Sequence, residues 1–166
     1  MRKVIGLLMI CAVFSACLPK AEYPPEPEIK FVSFLESSDN TAELTISFID
    51  GDGDIGLEQS DTTGVFCSDS CEFHWNLFCE YYELQDGEWV HLFIDWTDQT
   101  AIPFYYRVPN VTPTGQNPAL VGEIALDLND YYLFSDYDTA RFEVKLVDRA
   151  LNQSNIVVTK TFVKPG

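Results

Sequence analysis

The residues best suited to chemistry are acidic. Asp50, Asp52 and Asp54 alternate with Gly51 and Gly53, which places three carboxylates on a backbone free to adopt positive φ angles and curl around a point. Calcium takes six to eight oxygens at about 2.3–2.6 Å, and such a loop supplies part of that shell. A second oxygen-rich stretch, with Asp148, Asn152 and Asn155, precedes the last strand-like segment. In an immunoglobulin-like sandwich, the loop after the second strand and the loop before the last lie at one pole, so Asp50, Asp52, Asp54, Asp148 and Asn152 are the expected ligands of a structural calcium ion, with Asn155 nearby. An EF-hand is excluded: its sixth position is Ile55 rather than Gly, its twelfth is Asp61 rather than Glu, and no flanking helices are predicted. The competing reading is a solvated acidic turn, with Asp148 and Asn152 capping their own hairpin through side-chain to backbone hydrogen bonds.

Sulfur is the next candidate. Of five cysteines, Cys11 and Cys17 lie in the N-terminal segment, leaving Cys67, Cys71 and Cys79. If 73–84 is one strand, Cys71 and Cys79 stand about 26 Å apart at roughly 3.3 Å per residue, too far for a disulfide. The expected pair is therefore Cys67 with Cys71, leaving Cys79 buried and free; Cys67 with Cys79 is the alternative. Zinc held by the three thiols and His74 is disfavoured, since His74 and Cys79 have opposite parity on a regular strand.

Aromatic residues make up 14% of the chain. Most should fill a core, but adjacent aromatics on a strand point to opposite faces. One of Tyr105 and Tyr106, and one of Tyr131 and Tyr132, is thus expected to be exposed and available to stack on a ligand such as a sugar ring. No nucleophile elbow, His-Glu-x-x-His motif or phosphate-cradling glycine loop is present, and the expectation is a protein that is not an enzyme, with a hydrolase using calcium or carboxylate chemistry as the weaker alternative.

The elements that must position these groups read as strands. β-Branched and aromatic runs near 29–35, 42–50, 73–84, 88–96, 103–108, 121–128, 140–148 and 155–163 are divided by Gly, Pro, Asn and Asp clusters. Leu44, Ile46 and Phe48 alternate with Glu43, Thr45 and Ser47, as Phe142, Val144 and Leu146 do with Arg141, Glu143 and Lys145, so one face of each strand belongs in a core. Asp86-Gly87 predicts a two-residue hairpin turn, and the segment 109–120 reads as an irregular surface loop. The expected fold is all-β, an Ig-like or fibronectin type III-like antiparallel β-sandwich of 7–8 strands.

The N-terminus carries Arg2 and Lys3, an apolar run from Val4 to Val13, then Phe14-Ser15-Ala16-Cys17. The run is too short to cross a bilayer permanently, which needs about 20 residues, and its order is that of a secretory signal. Ser15-Ala16-Cys17 resembles the lipobox of bacterial lipoproteins, with Phe14 where that family usually has Leu. The resemblance implies removal of residues 1–16 and diacylation of Cys17, with palmitate-type chains holding the protein to the membrane. Residues 17–28, with four prolines, form a tether, and 29–166 form one domain. Losing Arg2 and Lys3 leaves 8 basic against 26 acidic residues, a net charge of −18, which disfavours nucleic acid and attracts cations.

Phe48-Ile49-Asp50-Gly51-Asp52-Gly53-Asp54-Ile55-Gly56-Leu57 and Val147-Asp148-Arg149-Ala150-Leu151-Asn152-Gln153-Ser154-Asn155, taken with Cys17, resemble small lipoproteins of Bacteroidota that carry a single Ig-like domain. The resemblance implies a cell-envelope location at the outer membrane or cell surface. It also implies a binding or accessory module whose partner is an envelope protein complex or a glycan.

Overall fold

The computed structural model describes residues 23–37, 40–67, 71–92, 104–112, 118–132 and 135–164. The expected signal segment, Cys17, the first part of the expected tether, and the expected strand and aromatic positions at 93–96 and 134 lie outside the described residues.

The chain is all-β. Strands β1 (Glu28–Glu36), β2 (Thr41–Asp50) and β6 (Leu120–Asn129) form one antiparallel sheet in the order β1-β2-β6. The second sheet is β4 (Glu88–His91), β3 (Leu77–Gln85), β7 (Thr139–Leu146) and β8 (Val157–Val158) in that order. Short strand β5 (Phe104–Tyr106) also pairs with β3, and β9 (Phe162–Val163) with β7. The chain crosses between sheets after β2, before β6 and again before β7, which is the Greek-key order of an Ig-like sandwich.

Alternation along β2 and β7 sends Leu44, Ile46, Phe142, Val144 and Leu146 into the space between the sheets, all fully buried. Phe34, Tyr131, Phe142 and Phe162 form an aromatic cluster there, with Phe34 and Phe162 stacked at 5.0 Å. Rings of this size each bury a large apolar surface, and truncating one to Ala costs about 3–5 kcal/mol. Asp86 (φ 53°) and Gly87 (φ 90°) both sit in the left-handed region, as a type I′ turn requires between β3 and β4.

Two expected strands are shorter than their hydrophobicity implied. The third begins at Leu77 rather than residue 73, because the buried side chain of Asn76 takes over strand pairing: Val108 N–H donates to Asn76 Oδ1 at 2.6 Å. The last segment, 155–163, is split into β8 and β9, giving nine strands among the described residues where seven or eight were expected. At the break, Thr159 Oγ1 accepts the Phe142 N–H at 3.0 Å, replacing a backbone carbonyl.

Candidate metal centre

β2 ends on Asp50, so the Asp-Gly-Asp-Gly-Asp sequence becomes the loop that leaves the first sheet at one pole. Gly53 at φ 69° supplies the left-handed residue that turns the loop back. Ile55, fully buried, pins it to the core, which is why the position where an EF-hand needs Gly is apolar here. The turn after β7 reaches the same pole and delivers Asp148. One carboxylate oxygen from each of Asp50, Asp52, Asp54 and Asp148 lies within 4.8 Å of the others. Two oxygens on opposite sides of an ion at about 2.4 Å, inside the calcium range, stand that far apart. Among the described residues this is the only such group of three or more His, Cys, Asp or Glu. Four acidic side chains that can hold a metal ion are therefore gathered from two loops about a hundred residues apart in sequence.

The interior partner is the most telling. Asp50 is 0% exposed, and neither of its carboxylate oxygens makes a hydrogen bond; Asp54 Oδ1 is likewise buried and unpartnered. An isolated buried carboxylate is very costly, and proteins either protonate it or pair it. Burial first, then the charges of Asp52 and Asp54, the approach of the Asp52 carboxyl group and the charge of Asp148, push the Asp50 carboxyl up to about 7. Burial likewise raises Asp54 and Asp148, against the partial relief of N–H donors.

The flanking contacts lock the two loops together. Ala150 N–H donates to Asp54 Oδ2 at 3.0 Å, Arg149 N–H to the Asp54 carbonyl at 3.3 Å, and Arg149 Nη2 to the Gly56 carbonyl at 3.1 Å. Asn152, expected as a ligand, instead grips Asp148: its backbone N–H donates to Oδ1 and its side-chain amide to Oδ2. The capping bonds of the competing reading therefore form, and the same Asp148 still faces the cluster. Asn155 is engaged elsewhere, its side chain pairing with both the N–H and the carbonyl of Ile29 at 2.9 Å. Asp61, the twelfth loop position, turns back on the Glu58 N–H.

The remaining expected sites divide. Cys67 and Cys71 form a disulfide with a Cα separation of 5.5 Å, and Cys79 is free and buried. His74 lies before β3, its Nδ1 donating to the Cys67 carbonyl at 2.8 Å, so the zinc alternative has neither its thiols nor its imidazole. Tyr131 and Tyr132 are 1% and 8% exposed, which corrects the expectation that one of them offers a stacking surface. Both follow the end of β6, where the chain turns inward rather than continuing the strand alternation, and they pack edge-on against each other. Tyr105 and Tyr106 are half-buried, with hydroxyls donating to Glu80 Oε1 at 2.7 Å and the Asp127 carbonyl at 3.2 Å.

Sequence reading missed a different surface. The outer face of the larger sheet carries Phe78, Tyr82, Trp89, His91 and Tyr105, with the Arg141 guanidinium 4.2 Å from the Trp89 ring. Cross-strand register (Tyr82 opposite His91, Phe78 opposite Tyr105) aligns them, and only pairing, not spacing along the chain, reveals it.

No protein-family model matches the chain, and no curated protein matches it. No helix among the described residues is long and apolar enough to cross a membrane.

Proposed function

We propose that this chain is an exported, lipid-anchored envelope module whose Ig-like sandwich holds a structural calcium ion between Asp50, Asp52, Asp54 and Asp148 and serves as a non-catalytic binding or accessory domain. The observation that carries the calcium reading is the Asp50 side chain, wholly buried, unpartnered and facing three further carboxylates. A hard dication neutralises that charge and satisfies those oxygens at once. An all-oxygen, glycine-flanked donor set favours calcium over softer metals, and its flexibility favours calcium over magnesium, which demands near-ideal octahedral geometry. The ion would stabilise the pole by tying the β2–β3 loop to the β7–β8 turn. The anchor and location rest on the resemblance of Ser15-Ala16-Cys17 to a lipobox and of the two loop motifs to Bacteroidota lipoproteins.

The test is calorimetric titration of calcium into the mature chain carrying Cys17→Ser, with thermal melts alongside. A calcium-dependent rise in Tm that Asp52→Ala abolishes supports the site; no heat and no shift would reject it. Acyl labelling of the unsubstituted chain in cells, lost on Cys17→Ser, tests the anchor.

A second reading, glycan binding, draws on the outer aromatic face. Trp89, Tyr82, Phe78 and Tyr105, all half-buried, lie beside Glu80, Glu143 and Arg141, and partly open rings next to hydrogen-bonding groups suit sugar stacking. Retardation in polysaccharide affinity gels that Trp89→Ala removes would favour it.

A further inference from the structure

The proline-rich segment before β1 touches the candidate metal loop near its start. Gly51, between Asp50 and Asp52, donates its N–H to the Pro24 carbonyl at 3.0 Å. The approach is so close that a Cβ on Gly51 would lie 2.3 Å from both the Pro24 and the Tyr23 carbonyl oxygens. Gly51 does not occupy the left-handed region, so the need for glycine here is the tether, not the turn.

We infer that cation binding and tether docking are one coupled event, in which the ion acts as a clasp fixing the domain to its own membrane linker. This rests on the calcium reading above. An ion bound by Asp50 and Asp52 immobilises the peptide between them, and that peptide supplies the N–H holding Pro24. By thermodynamic reciprocity, a docked tether raises cation affinity by the same factor. Pro24, Pro25 and Pro27 limit the linker's freedom and so lower the entropy lost on docking. With a lipid on Cys17, the six residues to Tyr23 span at most about 20 Å. The acidic pole is then the membrane-facing end of the domain. Calcium sets whether the sandwich stands at a fixed orientation or swings on a free linker, and with it which surfaces face outward.

The experiment uses the mature chain with Cys17→Ser and two variants that perturb the contact from opposite sides. Gly51→Ala blocks the approach from the loop. Pro24→Gly/Pro25→Gly loosens the tether and leaves every carboxylate in place. Calcium should protect the Gly51 amide from hydrogen exchange at least tenfold in the parent chain, and both variants should bind calcium about three- to tenfold more weakly. If the parent binds calcium but the double proline variant binds it equally well, the coupling is wrong while the calcium site stands. If the parent shows no binding heat, the site itself falls and the clasp with it.

Discussion

Asn152 holds both oxygens of Asp148, its backbone N–H at 2.7 Å from Oδ1 and its side-chain amide at 2.8 Å from Oδ2. Each carboxylate oxygen keeps a further lone pair, so the contact orients Asp148 without withdrawing it from an ion. Groups that orient ligands typically change metal affinity 10–100-fold when removed. Asn152→Ala is expected to weaken calcium binding by about tenfold. An unchanged titration would mean that Asp148 is positioned by the backbone of its turn alone.

Asp50→Asn separates the two states of the site. Without cation, the parent buries carboxylates facing one another, so removing one charge should leave Tm in chelator unchanged or higher. The same substitution should erase the calcium-induced rise. A variant less stable in chelator and still stabilised by calcium would contradict the assignment of Asp50 as a ligand.

The pH dependence follows from the direction of the Asp50 shift. Its carboxyl titrates near 7 in the ion-free fold, against an ordinary value of 3.8. Between those values the folded state keeps a proton that the unfolded chain has released, so the contribution of Asp50 to ion-free stability is greatest at low pH and falls as pH rises toward 7. Calcium needs the ionised form, so its stabilising increment should be full above 7 and vanish as pH drops below it. Melts at pH 5 and pH 8, with chelator and with calcium, check both slopes; a flat chelator series would contradict the prediction.

Lys164 and Glu83 form a buried ion pair at 2.8 Å, with Ser135 Oγ bonded to both and Gln85 and Tyr81 donating to Glu83. Removing one partner strands the other charge in the interior, at a cost of about 3–5 kcal/mol. Lys164→Met should lower Tm by roughly 10 °C at a domain of this size. Replacing Glu83 with Gln in the same chain should recover part of that loss.

Burial pushes the Cys79 thiol well above its ordinary range, leaving almost no thiolate at neutral pH. In the mature Cys17→Ser chain, which lacks Cys11, iodoacetamide at pH 8 should label nothing until denaturant is added, and then a single thiol. Rapid labelling of the folded chain would contradict the Cys67–Cys71 pairing or the burial of Cys79.

Much of the fold was legible because strand alternation is local: the period-2 patterns of β2 and β7 and the Asp86-Gly87 turn depend on neighbouring residues. The acidic loop was legible for the same reason. The start of β3 and the break between β8 and β9 were not, since Asn76 and Thr159 replace backbone hydrogen bonds with side-chain ones across distant segments. Tyr131 and Tyr132 were misplaced because strand alternation was carried past the end of β6.

The sequence by itself determined an all-β sandwich, the identity of the candidate acidic ligands and the signal-like N-terminus, since each is written in runs of adjacent residues. Only the tertiary structure decided that Asp50 is buried and unpartnered, that Asn152 supports Asp148, and that Pro24 rests on Gly51. Those relationships arise where segments distant in the chain share one desolvated pole, and there burial and proximity, not residue type, set the chemistry.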